Sequence, residues 1–198
     1  MIDYSKYSFW LETSGDVLTP RPSLSHSADF DVVILGAGYT GLWTAYYLLK
    51  ASPHLKVAVL EKEIVGFGAS GRNGGWCSSK FPVTPAMLER RYGRDAARAL
   101  MLAMNDAVDE VARVCQEERI EAQFHKGGIL TLARGEHHLP MLRSAFDAYS
   151  GLGLGQQYRL CSASEAGERV RVTNVCGALY ASENASVHPA RQGRPQNP

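Results

Sequence analysis

Near the start of the chain, Val32-Val33-Ile34-Leu35 is an unbroken apolar run, entered at Phe30-Asp31 and stopped by Gly36. A strand-length run without alternation predicts a strand over residues 31–35 covered on both faces, as in a parallel sheet. Behind it, Leu42, Ala45, Tyr46 and Leu49 recur at helical spacing and the segment closes at Ser52-Pro53, which predicts a helix of about three turns. Residues 55–61, LKVAVLE, predict a second strand. Strand, helix and strand within about thirty residues form a βαβ unit with a right-handed crossover.

The texture then changes. Residues 66–79 are a Gly/Ser-rich loop, and Thr84 followed by Pro85 marks a helix start. Residues 95–118 predict a long amphipathic helix, with Leu100, Ala103, Ala107, Val111 and Val114 as its core stripe and Arg98, Asp106, Glu110 and Arg113 outside. Residues 127–133 read as a strand, 136–149 as a helix, and 170–187 as two short strands around Gly177 and Asn184. Upstream, residues 1–28 are an arm bearing Tyr4, Tyr7, Phe9 and Trp10, followed by a polar stretch with Pro20 and Pro22. Leaving those aromatics wet is unfavourable, so the arm is expected to lie along a folded surface. The polar, proline-bearing residues 192–198 are expected to be disordered.

Composition adds mostly exclusions. A chain of 198 residues suffices for one ordinary domain or two small ones and buries roughly 70% of its unfolded surface. With 21 basic against 20 acidic side chains and 45% apolar residues, it lies in the soluble globular range and is no nucleic-acid binder built on bulk charge. Arg90, Arg91, Arg94 and Arg98 cluster, but Glu89 and Asp95 interrupt them and no aromatic array accompanies them, so a solvated helix face is expected. The first thirty residues carry Asp3, Lys6, Glu12, Asp16, Arg21 and Asp29, and no uncharged apolar run approaches the ~18 residues of a membrane span, so neither a signal peptide nor a membrane anchor is expected. Cys77, Cys115, Cys161 and Cys176 are scattered, with no CxxC pair and no His at zinc-ligand spacing, which suits a reducing, cytoplasmic setting without a metal site. Cys77, next to the glycine loop, is read as a small packed thiol. His137 and His138 are adjacent, diverge by about 100° on a helix and cannot chelate one ion as a pair. No nucleophile–base or paired-carboxylate constellation follows from spacing, and no catalytic side chain is named.

The positive signal is Gly36-Ala37-Gly38-Tyr39-Thr40-Gly41, a GxGxxG at a strand-to-helix junction, with Glu61 at the end of the second strand. Gly36 permits the tight turn, Gly38 lets a pyrophosphate approach the backbone, Gly41 lets helix and strand pack closely, and Glu61 binds a ribose hydroxyl pair. The helix N-terminus offers N–H groups and a positive dipole end to phosphate. FAD and NAD proteins share this fingerprint; the acid argues only against a 2′-phosphate. A nicotinamide-dependent dehydrogenase therefore stays open on the fingerprint alone, but it leaves Gly66-Phe67-Gly68-Ala69-Ser70-Gly71-Arg72-Asn73-Gly74-Gly75 unexplained.

With that second segment the chain resembles the FAD-dependent amine and amino-acid oxidoreductases of the D-amino-acid oxidase superfamily, the group of glycine oxidase and sarcosine oxidase, and within it the gamma-glutamylputrescine oxidase-like proteins. The likeness rests on the aromatic arm, on DVVILGAGYTGLWTAYYL and VAVLEKEIVGFGASGRNGG, and more loosely on GGILTLA and VHPAR. It implies an α/β fold, the N-terminal part of an FAD-binding Rossmann-like domain of the glutathione reductase type plus part of an α+β substrate domain. It implies FAD as cofactor, with Gly36, Gly38 and Gly41 on the diphosphate, Ala37, Tyr39 and Thr40 in the same turn, Glu61 on the adenosine ribose and Lys62 beside the adenosine. Ala69, Ser70, Arg72, Asn73, Gly74 and Gly75 would run along the pyrophosphate and flavin, with a solvated loop charge as the alternative reading of Arg72.

The implied segments are an arm (1–29), the βαβ unit with its flavin loop (30–80), a helical region with a partial substrate domain (81–170), a return toward the FAD domain (171–191) and the tail (192–198). The implied activity is oxidation of the C–N bond of a primary or secondary amine or an amino acid to an imine, with oxygen as the expected electron acceptor and no nucleic-acid or membrane partner. Because the likeness stops after Arg191, the chain is also expected to be a C-terminally truncated product or fragment, and a non-catalytic remnant is the competing reading.

Overall fold

The structure is a computed structural model in which residues 2–191 are described; the tail 192–198 lies outside the described residues. The chain divides into two compact units, the first comprising the residues up to Gly75, Val114–Gln123 and the residues from Val187 on, the second Trp76–Arg113 and Phe124–Ser186.

In the first unit the arm folds into a 3-10 turn, Tyr4–Tyr7, and a short helix α1, Phe9–Glu12. Each start is capped by a local side chain, Asp3 accepting from the Ser5 N–H and Ser8 from the Leu11 N–H. Tyr4 and Leu11 are buried against Ile64 and Ala190, with Trp10, Leu18 and Phe67 around them, and the Tyr4 hydroxyl donates to Glu63 at 2.8 Å. Strand β1, Val32–Leu35, pairs in parallel with β2, Val57–Leu60, Val32 opposite Val57 and Leu35 opposite Leu60. Helix α2, Tyr39–Ala51, is the crossover. Contrary to the expectation from its apolar run, β1 is covered on one face: Val33 and Leu35 are 51% and 82% exposed. A parallel sheet needs helices on both sides, and a single βαβ crossover supplies one.

The second unit runs, in chain order, β3 (Trp76–Ser78), α3 (Pro85–Tyr92), α4 (Arg94–Glu117, whose last residues belong to the first unit), β4 (Ile129–Ala133), α5 (Leu139–Gly151), β5 (Tyr158–Ser162), α6 (Ala163–Arg169), β6 (Gly177–Ala181) and β7 (Asn184–Ser186). Strands β4, β6 and β5 form an antiparallel sheet with β6 central, and β3 pairs antiparallel with β7. Alternation along the strands separates two faces: Ala133, Leu160 and Leu179 meet Leu142 and Phe146 of α5, whereas Leu132, Cys161 and Ala178 meet Ala166 of α6. A further cluster joins Leu88 of α3 to Ala97 and Met101 of α4 and to Leu152 and Leu154.

Helix α4 corrects the predicted stripe. Its buried positions include Ala97, Met101, Asn105 and Val108, while Ala103 and Ala107 are exposed. The true stripe contains a polar residue, Asn105, whose amide donates to the Gln157 side chain at 2.9 Å; a polar group so satisfied can be buried, and its presence disguised the helix phase. Residues 136–138 form a 3-10 turn ahead of α5 rather than its first turn, with the His137 and His138 rings 3.9 Å apart.

Candidate functional site

The glycine turn joins the end of β1 to α2. Gly36 has φ of +98° and open space where a side chain would start, a conformation in which any L side chain is strained. At Gly41 the reason is proximity: a Cβ there would stand 2.1 Å from the Gly36 carbonyl oxygen, so helix and turn meet backbone to backbone. Helix α2 starts at Gly38, which supplies no side-chain cap of its own, and its first turn faces the glycine turn, the arrangement that receives anions.

Two further segments close on this turn. Glu61, just after β2, accepts from the Ala37 N–H at 2.8 Å through one carboxylate oxygen and from the Glu63 N–H at 3.0 Å through the other. The loop 66–75 is tied in at two points: the Gly66 N–H donates to the Ala37 carbonyl at 2.9 Å, and the Ser70 hydroxyl accepts from the Tyr39 N–H at 2.9 Å. Within the loop, the Asn73 amide donates to the carbonyls of Ala69 and Ser70 and its oxygen accepts from the Gly75 N–H. Arg72 donates to the Gly68 carbonyl and lies over the Phe67 ring, 4.6 Å from its centroid, so its charge is engaged by its own loop. Thr40 and Gly74 are exposed, and Gly75 is buried. Glu61 and Ser70 thus meet the glycine turn from 24 and 31 positions away, whereas the hydrogen bonds of Arg72 and Asn73 stay within their own loop.

Beside it opens a cleft of about 1150 Å³, large enough for a dinucleotide's nucleoside end by the usual size of ligand sites. Of the predicted residues, Ala37, Glu61 and Lys62 line it; the arm between Ser14 and Leu24, with Glu121 and Arg191, lines it too. Those wall residues were not legible as site residues, because nothing in local spacing links residue 14 or 191 to a turn at 36. The cradle fits a dinucleotide: a turn in which Gly36 and Gly41 could not bear side chains, a helix start whose N-cap, Gly38, has none, and an acid at the end of the neighbouring strand.

Fold and site together define a dinucleotide-binding α/β protein. The family described as FAD dependent oxidoreductase matches residues 31–192. The chain is 30% identical over 182 residues to gamma-glutamylputrescine oxidoreductase of Escherichia coli, covering 92% of this chain and 42% of that protein. It is 26% identical over 151 residues to sarcosine oxidase subunit beta of Rhodobacter capsulatus, covering 76% of this chain and 33% of that one. Among solved structures, L-amino acid deaminase from Proteus vulgaris superposes with a TM-score of 0.65 at 21% identity, over 90% of this chain and 39% of its own, and glycine oxidase from Geobacillus kaustophilus with 0.61 at 22% identity, over 83% and 42%. The chain belongs to the FAD-dependent oxidoreductase family, an enzyme family whose cofactor is FAD. Its fold is the N-terminal part of an FAD-binding Rossmann-like domain with part of an α+β substrate domain, and it spans about 42% of the length of the E. coli relative.

No helix among the described residues is long and apolar enough to cross a membrane. No group of three or more His, Cys, Asp or Glu among them is placed to hold a metal ion. Cys115 is buried, and burial pushes its thiol pKa up, away from nucleophilic use.

Proposed function

We propose that this chain carries the dinucleotide half of an enzyme that oxidises the C–N bond of a primary or secondary amine or an amino acid to an imine. The carrying observation is the convergence of Glu61, the Gly36–Gly41 turn and the Ser70 loop on one cradle beside the cleft. The names of the relatives support the substrate class, gamma-glutamylputrescine and sarcosine among them.

A bound FAD would supply the hydride acceptor for the carbon bearing the amine, with an imine as product for water to hydrolyse and oxygen as the proposed reoxidant. The chain's own residues bind and orient. The α2 N-terminus with Gly36, Gly38 and Gly41 receives the diphosphate, Ala37, Tyr39 and Thr40 supplying the rest of that turn. Glu61 accepts from the ribose hydroxyls, and Lys62 borders the adenosine. The backbone of Ala69, Ser70, Arg72, Asn73, Gly74 and Gly75, held in shape by the Asn73 amide, would border the pyrophosphate and flavin. The expected segments, an arm, a βαβ unit and a partial substrate domain, are part of this reading.

One observation favours a second reading, that the 198 residues alone turn over no amine: Val33, Leu35 and Leu60 of the β1–β2 pair are exposed, at 51%, 82% and 40%, and an uncovered strand face is poor support for a closed flavin site. The test is to titrate the chain with FAD, NAD and NADP by fluorescence, then assay peroxide on a panel of primary amines, secondary amines and amino acids. Saturable FAD binding with amine-dependent peroxide supports the first reading for this chain, and FAD binding without peroxide supports the second. Binding of a nicotinamide dinucleotide in place of FAD overturns both.

A further inference from the structure

His188 is 4% exposed, lies within the first unit, and has no part in the cradle. Its Nε2 is 3.1 Å from the Thr13 hydroxyl, its ring packs edge-on against Trp10 with centroids 5.1 Å apart, and its backbone N–H donates to the Ala122 carbonyl at 2.7 Å. The one hydrogen of the Thr13 hydroxyl is given to the Phe9 carbonyl at 2.7 Å, so towards His188 that oxygen is an acceptor. Nε2 therefore carries the ring's hydrogen and Nδ1 is the bare nitrogen. Nδ1 is buried without a hydrogen-bond partner. A second proton has only Nδ1 to go to, in a buried site where backbone groups of His188 and Thr13 only partly offset the loss of water.

The charged groups facing the ring come from two elements. Arg191, on the ring's own segment, donates from Nε to the Ser14 carbonyl at 2.8 Å and from Nη2 to the Thr13 carbonyl at 3.2 Å. Asp16 is on the arm, and residues 120–122 present the Ala122 carbonyl. Burial first and the Arg191 guanidinium second hold the imidazole's pKa below its ordinary 6.5, against the opposite pull of the backbone hydrogen bonds at His188 and Thr13 and of Asp16. His188 and Arg191 thus grip residues 10–14, immediately before the stretch between Ser14 and Leu24 that lines the cleft together with Glu61 and Lys62.

We propose that His188 is a proton-sensitive lock on the N-terminal arm: the neutral ring holds Thr13 and Trp10, and with them the arm wall of the cleft, and a proton on Nδ1 releases that wall. The consequence for a bound dinucleotide rests on the FAD reading above; the lock does not.

The test is hydrogen exchange read by mass spectrometry on the 198-residue chain between pH 7.5 and 5, corrected for intrinsic exchange chemistry. Protection of peptides within residues 9–24 is expected to fall by about tenfold for each pKa unit by which the folded ring lies below its unfolded value, while peptides over β4 hold theirs. In His188→Gln, which cannot take the proton, arm protection is expected to be the same at both ends of the range. A parent arm whose protection is flat with pH, or a variant that keeps the parent's dependence, overturns the lock. Should His188→Gln not fold, the NMR titration of the His188 ring in the parent decides: its midpoint must coincide with that of arm release, and a mismatch overturns the proposal. FAD affinity followed over the same range separates the two readings. A loss tracking arm release ties the lock to the nucleotide cleft; no FAD binding at any pH, with the exchange result intact, overturns the FAD reading alone.

Discussion

Glu61 shows how much one side chain at a strand end is asked to do. Its two oxygens already accept from the N–H groups of Ala37 and Glu63, so it fixes the glycine turn relative to β2 as well as offering charge to a ribose. Glu61→Ala is expected to weaken FAD binding by about 1.5–3 kcal/mol, the range for hydrogen bonds to an ionised acceptor, with Glu61→Gln between mutant and parent because one acceptor survives. Equal flavin-fluorescence titration curves for parent and Glu61→Ala would show that the acid only ends the strand. Gly41 makes a sharper steric case. A Cβ placed 2.1 Å from the Gly36 oxygen meets backbone rather than a yielding side chain, so Gly41→Ala must push α2 off β1, at about 1–3 kcal/mol. A circular-dichroism melt unchanged from the parent would contradict the close packing described.

Caps and helix phase decide behaviour at the scale of the element. Ser162 opens α6 with a reciprocal capping box, its hydroxyl accepting from the Glu165 N–H and the Glu165 carboxylate accepting from the Ser162 N–H. Ser162→Ala should remove about 1 kcal/mol, seen as an earlier thermal transition of the second unit. The S-x-x-E spacing is a sequence-level start signal, and with the alternation of Tyr158, Leu160 and Ser162 it could have disclosed both β5 and α6, which the apolar pattern alone passed over. Helix α4 offers a direct test of phase. Met101→Ala, on the buried side, is expected to lose about 2–5 kcal/mol, whereas Ala107→Ser, on the exposed side, should stay within about 0.5 kcal/mol. The reverse order in denaturant melts would restore the stripe through Ala103 and Ala107.

The whole molecule adds a pH dependence that no element carries alone. Because the folded pKa of His188 is depressed, the native state binds fewer protons than the unfolded chain just below the ordinary histidine value. Stability contributed there is complete above about pH 6.5 and is lost as pH falls from that value through the folded pKa. Unfolding of the first unit followed by tryptophan fluorescence should therefore shift to lower denaturant on going from pH 7 to 5, and His188→Gln should remove that share of the shift. A parent whose midpoint does not move over this range would leave the buried ring without a thermodynamic consequence.

What the sequence determined by itself was local chemistry. The apolar runs at 32–35 and 57–60, the helix between them, the glycines and Glu61 all follow from rules acting within about thirty residues, and the resemblance to a flavoenzyme family rested on the same stretch. Tertiary structure decided what depends on residues far apart in the chain. It left one face of β1 bare, because a single crossover brings one helix. It rotated the core stripe of α4 onto Asn105, because Gln157, 52 positions away, satisfies that amide. It set the arm and Arg191 as a wall of the cleft and closed His188 over Thr13, 175 positions away. Spacing carries no record of such pairings, since the burial and hydrogen bonds that justify them exist only once the chain has folded.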